Sequence, residues 1–306
     1  MAKPIRIGTR ESQLAIWQAT EVKQFLEAAG YPSELVYIKS EGDIDLHTPL
    51  YEMGTQGIFT KTLDSALLLN HIDLAVHSMK DVPTILASGL QQAAVLERGN
   101  AKDLLVINGD ASFLEVKGSK AIIATSSIRR KAQWLHQYPE HEMVGLRGNV
   151  NTRLSKLKES NWNGAIFAAA GLERIGLRPE NAVELDWMLP APAQGAILVV
   201  CRDHENELLK ACHSFNHQPT QLCTAIERDF LRALMGGCTT PISALASIEK
   251  DQVVLNGSIL SPDGKHKQTI TMNAPFENAA TLGTIAGTRL LKEGGAAINA
   301  NKIHAR

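Results

Sequence analysis

Two α/β domains joined by a hinge, followed by a small C-terminal α+β domain, are what this chain of 306 residues predicts, on three observations. Short apolar segments alternate with amphipathic segments of helical period through the first half. This alternation breaks at Gly99-Asn100-Ala101-Lys102 and begins again at Asp103. From about residue 218 the pattern changes to one long helix, a hairpin and a closing helix.

The elements follow in order. Ile5 to Thr9 reads as a strand. Ser12 caps a helix that carries Leu14, Trp17, Val22, Phe25, Leu26 and Ala29 at helical spacing and stops at Gly30. Leu35 to Lys39 is the next strand. The segment from Ser40 to Gly57 is too long for a simple connection and is expected to be a mobile functional loop. A helix over Thr60 to Asn70 and a strand over Asp73 to Val76 complete the set, in a largely parallel sheet.

The second set has strands at Leu104–Ile107, Ala121–Ala124, Met143–Leu146 and Ala165–Ala169, with helices opening near Ser127 and Asn149. Pro190-Ala191-Pro192 reads as a return crossing, so the apolar run Ala196 to Val200 is expected to rejoin the first sheet. Residues 1–98 with 195–215 then form the first domain, 102–190 the second and 218–306 the third. In the third, a helix over Thr220 to Leu234 ends at Gly236-Gly237-Cys238. Val253–Leu260 and Gln268–Met272 pair around Pro262-Asp263-Gly264, and a helix runs from Asn278 to Lys292.

A chain 44% hydrophobic and 21% charged is ordinary globular protein. It holds no apolar run near the roughly 20 residues that cross a bilayer, and Met1-Ala2-Lys3-Pro4 leads directly into a strand, so a cytoplasmic protein is expected. A formal net charge of −1 supplies no global field for nucleic acid, which leaves local clusters to make any anion site. The cysteines, Cys201, Cys212, Cys223 and Cys238, have no metal-ligand spacing, and no metal is expected.

Arginines recur where strands give way to helices: Arg10, Arg129, Arg130, Arg147, Arg153 and Arg174. Ligands bind at that edge of open α/β sheets, where helix N-termini add N–H donors. The arginine fork suits carboxylates, and several forks suit a ligand with many of them. Two further runs carry chemistry. Gly236-Gly237-Cys238, followed by Pro241, presents a thiol on a flexible turn, although such a cysteine is more often a packed small hydrophobe. His77-Ser78-Met79-Lys80-Asp81-Val82-Pro83 delivers an acid beside a lysine into a proline-bounded turn.

Ile7-Gly8-Thr9-Arg10, the run His77 to Pro83, Thr125-Ser126-Ser127-Ile128-Arg129-Arg130, Gly145-Leu146-Arg147-Gly148-Asn149-Val150, Thr152-Arg153-Leu154 and Gly236-Gly237-Cys238 stand in an order that resembles the porphobilinogen deaminase (hydroxymethylbilane synthase) family across nearly the whole chain. The resemblance implies a transferase of tetrapyrrole biosynthesis that joins four porphobilinogen molecules head to tail with loss of ammonia. It implies two domains like those of periplasmic binding proteins plus a third. It also implies a dipyrromethane cofactor in thioether linkage to Cys238, which primes the chain.

By the same resemblance Asp81 is the catalytic acid, bonding pyrrole N–H groups and stabilising a positively charged ring. Lys80, Asp81, Ser127, Arg129, Arg130 and Arg153 would hold the cofactor; Arg10, Ser12, Arg147, Arg153, Arg174 and Gln194 would hold substrate. The expected partner is porphobilinogen alone, bound by a monomer with no nucleic acid and no membrane. Three positions depart from the family pattern: Gln56 stands for a usual lysine, and Ala193 and Ser243 for usual glycines. The first removes a cation from the loop, and the other two restrict the backbone.

Two other classes fit part of this pattern. An anion-binding receptor would share the hinged halves and arginine-lined cleft but leaves the presented thiol without a role. A cysteine hydrolase would need a histidine base near Cys238, from His77 or His213.

Overall fold

The computed structural model describes residues 3–39, 60–116, 118–234 and 240–300. The expected mobile loop from Ser40 to Gly57, with Gln56, lies outside the described residues, as does Gly236-Gly237-Cys238.

In chain order the strands and helices are β1 (Ile5–Thr9), α1 (Gln13–Ala28), β2 (Ser33–Tyr37), α2 (Lys61–Leu68), β3 (Leu74–Ser78), β4 (Leu90–Val95) and β5 (Asp103–Ile107). Then come β6 (Ile122–Ala124), α3 (Ile128–Gln137), β7 (Glu142–Val144), α4 (Val150–Glu159), β8 (Gly164–Ala168), α5 (Ala169–Glu173) and β9 (Ala182–Glu184). β10 (Ile197–Arg202), α6 (Asn206–His213), α7 (Gln218–Ala233), β11 (Ile242–Glu249), β12 (Gln252–Leu260), β13 (Lys267–Pro275), α8 (Leu282–Leu290) and α9 (Ala296–Ala300) complete the chain.

The fold divides into two compact units. Among the described residues, one takes those up to 99 with 195–222, and the other takes 100–194 with those from 223 onward. The first unit is built on a five-stranded sheet of order β2-β1-β3-β10-β4. Ile7, Leu74, Val76 and Val199 from its strands pack against Val22 and Leu26 of α1 and Ala211 and Cys212 of α6. As expected, the strand after Pro190-Ala191-Pro192 returns to this sheet.

The second unit contains another five-stranded sheet, of order β7-β6-β8-β5-β9. The pleat of β5 sends Leu104 and Val106 into one core, with Phe167 and Leu157, and Leu105 and Ile107 into another, with Ile123 and Trp134. Both faces are therefore covered, which explains why β5 is apolar without alternation.

Each sheet is mixed rather than largely parallel. β1 runs parallel to β2 and β3, and β6 to β7 and β8, while β10 is antiparallel to β3 and β4, and β5 to β8 and β9. The reversed strand in each case is the one that follows a crossing between the units, and each takes the fourth place in its sheet. The two halves thus share one topology without visible sequence repetition.

The C-terminal part of the second unit is an antiparallel sheet, β11-β12-β13, with α7 and α8 on the face of Gly257. A side chain at Gly257 would run into the Phe230 ring. The predicted hairpin forms, and Gly264 in its turn has φ of 75°. The single closing helix expected over Asn278 to Lys292 is instead a 3-10 turn, α8, and a wide turn kinked at Gly294, whose φ is 120°.

Candidate functional site

In the first unit, β1 and β3 are parallel neighbours, so their C-terminal ends lie side by side. Arg10 follows β1 directly. Ser12 accepts the N–H of Ala15 at 3.3 Å as the cap of α1, so its side-chain oxygen serves the helix. After β3 the chain makes one 3-10 turn, Met79–Asp81.

That turn is anchored from below. Met79 is buried and its N–H donates to Ala196 O of the return crossing at 3.0 Å, while Ser78 exchanges hydrogen bonds with the buried amide of Gln18 on α1 at 3.0 and 3.3 Å. Lys80 is partly buried and Asp81 exposed. An exposed acid on an anchored turn can meet a ligand without first reorganising. Gln18 was missed from sequence because a polar residue within an amphipathic helix reads as solvent-facing.

His77, in β3 four residues before Asp81, is buried, with its pKa pushed down to about 4 by burial and then by the charge of Arg10. Its Nε2 has no hydrogen-bond partner among the described residues and lies 3.8 Å from Asp64 Oδ1 on α2. Burial raises the Asp64 carboxyl to about 6, against a hydrogen bond with Thr60 that lowers it.

In the second unit, β6, β7 and β8 are parallel, and their exits share one sheet edge. Ser127 leaves β6 and caps α3, accepting Arg130 N–H at 3.4 Å. Arg147 leaves β7. Asn149 caps α4, whose Arg153 donates Nε–H to Gly148 O at 2.7 Å. Arg174 ends α5 after β8. The predicted residues Ser127, Arg147, Arg153 and Arg174 are therefore brought to a single edge by sheet topology.

Arg129 and Arg130 depart from an open arginine cluster. Both are buried and both hold Asp103, which has no exposed surface: Arg129 Nη2 is 2.8 Å from Oδ2, and Arg130 donates Nε–H and Nη2–H to Oδ1 at 3.1 and 2.7 Å. Arg129 also donates to Leu189 O and Arg130 to Ile166 O, each at 2.9 Å. Gln194 is buried and spends its amide on Asp103 Oδ1 at 2.8 Å and on Ala101 O at 2.7 Å.

The two arginines hold the Asp103 carboxyl well below the usual carboxylate range, against the upward push of burial. One acid faces two guanidinium groups, so the cluster carries an excess positive charge. Arg129 Nε–H is buried without an acceptor among the described residues. A donor in that state fits a ligand carboxylate.

No helix among the described residues is long and apolar enough to cross a membrane. A family model described as "Porphobilinogen deaminase, dipyromethane cofactor binding domain" matches residues 5–210, and one described as "Porphobilinogen deaminase, C-terminal domain" matches residues 221–292. The porphobilinogen deaminase of Trichlorobacter lovleyi is 43% identical over 97% of this chain and 96% of its own length. That of Oryza sativa subsp. japonica, named as chloroplastic, is 40% identical over 95% of this chain and 84% of its own. Among solved structures, the methionine binding protein MetQ matches 69% of this chain and 88% of its own at 13% identity and a TM-score of 0.44. The fold class accordingly rests on the sheet order itself.

Proposed function

The chain belongs to the porphobilinogen deaminase family, and on that premise we propose that Asp81 carries the coupling chemistry while Cys238 holds the dipyrromethane cofactor. The activity is hydroxymethylbilane synthesis from porphobilinogen, a step of tetrapyrrole biosynthesis, and the cofactor is dipyrromethane. The bound dipyrromethane supplies the terminal pyrrole to which substrate rings are joined. Family membership also removes the ground for a receptor or a cysteine hydrolase.

The observation that supports Asp81 is its exposed carboxyl on a turn fixed at both ends of its approach, by Met79 to Ala196 and by Ser78 to Gln18. From there the carboxylate accepts pyrrole N–H groups, offsets positive charge on the ring and takes up the proton that the new bond releases. Lys80 stands beside it as a cation for an acidic side group. Arg10 and Ser12 in the first unit, and Ser127, Arg129, Arg130, Arg147, Arg153 and Arg174 in the second, bind acetate and propionate groups. Gln194 contributes from the crossing through its hydrogen bond to Asp103.

We read the chain as three domains, residues 1–98 with 195–215, 102–190 and 218–306, the third carrying Cys238. The enzyme acts as a cytoplasmic monomer on porphobilinogen and needs neither nucleic acid nor membrane; the net charge of −1 supports the former.

Asp81→Asn tests the reading, since it keeps the size of the side chain and removes its charge. The variant is expected to fold, to carry the two-pyrrole adduct when given preformed primer, and to consume almost no porphobilinogen in a single turnover. Coupling near the wild-type rate in a chain whose adduct is confirmed by mass would show that the charge is unnecessary.

A further inference from the structure

We propose that Asp103 is a positioning residue for anion binding in the second unit, an internal carboxylate that fixes Arg129 and Arg130 and leaves one positive charge for a ligand carboxylate. The proposal rests on the reading that these arginines bind acidic groups of cofactor or substrate.

The sequence gives Asp103 no such look. It begins an apolar strand, where an acid ordinarily sits in solvent, yet here it has no exposed surface. A buried carboxylate needs charge and hydrogen bonds around it, and it receives both guanidinium groups and the Gln194 amide.

The geometry is asymmetric. Arg130 turns Nε and Nη2 to one oxygen of Asp103 and Nη1 to Ile166 O, while Arg129 reaches the other oxygen with Nη2 alone and keeps its Nε–H buried without an acceptor among the described residues. Asp103 therefore occupies one place in a site with charge for two carboxylates. Adjacent guanidinium groups repel each other, and without a fixed anion between them neither would hold the aim that a bidentate contact requires. Gln194 ties the same oxygen to the chain where it leaves the second unit, adding a second constraint on Asp103.

The test uses the full-length enzyme in four variants: Asp103→Asn, Arg130→Gln, the double variant Asp103→Asn/Arg130→Gln, and Arg129→Gln. Each is read by adduct mass, thermal melting, and kcat and KM for porphobilinogen at a temperature where it is folded. Asp103→Asn is expected to raise KM about tenfold, as the loss of one well-aimed charge-assisted contact implies, with a smaller change in kcat.

Should that variant fail to fold because two buried cations face no anion, the double variant restores the charge balance. It is expected to show a KM about tenfold above that of Arg130→Gln alone, because Arg129 has lost its anchor. A double variant that matches Arg130→Gln in KM and adduct, whatever its melting temperature, gives Asp103 a purely structural role and overturns the proposal. If Arg129→Gln binds and loads like wild type, the underlying anion-binding reading fails as well; if Arg129→Gln is impaired while Asp103 variants match their parents, only the positioning role fails.

Discussion

Glu227 on α7 accepts the backbone N–H of Ala193 at 2.6 Å, and Ala193 is a buried alanine held at φ of 61° in the left-handed region. The other carboxyl oxygen of Glu227 accepts the N–H of Ala246 in β11 at 2.8 Å. One fully buried side chain therefore satisfies a donor in the return crossing and a donor in the C-terminal sheet. Glu227→Ala is expected to destabilise the protein by about 3 kcal/mol, since two buried N–H groups lose their acceptor. Urea unfolding measures it, and a loss near zero would mean that other groups take over both donors.

Ala193 stands where the resemblance leads to an expectation of glycine, and its backbone shows what an alanine there involves. An L-residue in the left-handed region costs about 1–2 kcal/mol, and glycine escapes that strain but loses roughly 0.5–1 kcal/mol more entropy on folding. Ala193→Gly should therefore stabilise the folded state by less than about 1 kcal/mol, seen as a small rise in the urea midpoint. A marked fall would show that the methyl group contributes packing worth more than the strain. Ser243, the other departure from glycine, is buried, and its Oγ accepts from Gln133 Nε2 on α3 at 3.0 Å.

Much of this architecture was legible because burial imposes period. β1 has the expected bounds, α1 has the expected cap, and β10, after Pro190-Ala191-Pro192, joins the first sheet as expected. Strand direction was not legible, since nothing local in β5 or β10 reports which way a neighbour runs. β4 was missed because Gln91 and Gln92 interrupt its apolar pattern, β9 because it is three residues long, and β11 because its alanines and serines are weak strand formers. The arginines of the candidate site were visible at strand exits. Asp103 was not, because its partners, Arg129 and Arg130 on α3 and Gln194 in the crossing, are distant from it in sequence.

Cys238 is expected to be the sole attachment point. The other cysteines are buried: Cys201 within β10, Cys212 on α6 and Cys223 on α7. Burial pushes the Cys201 thiol up to about 11 and the Cys212 thiol up to about 12, which suppresses the reactive thiolate. Cys238→Ala should give a chain of unmodified mass with little activity. An adduct of two pyrroles on that variant, located by peptide mapping, would move the attachment elsewhere.

Buried His77 and partly buried Asp64 predict opposed pH effects on stability. His77 has its folded pKa lowered to about 4 from the usual 6.5, so the unfolded chain binds the extra proton first; the stability this contributes is present above pH 6.5 and is lost as pH falls toward 4. Asp64 has its pKa raised from 3.8 to about 6, so the folded chain holds that proton longer; its contribution is present below pH 3.8 and is lost as pH rises through 6. Between pH 4 and 6 the two slopes oppose, and this site adds little net pH dependence to the wild type. Asp64→Asn removes the falling contribution, so its melting temperature should climb with pH relative to wild type across that window. His77→Gln leaves Asp64 alone and should reverse the sign, the relative melting temperature dropping as pH rises from 4 to 6. Parallel melting curves for all three proteins over this range would show that neither group changes its proton affinity on folding, and that the 3.8 Å approach of Nε2 to Oδ1 is relieved by solvent.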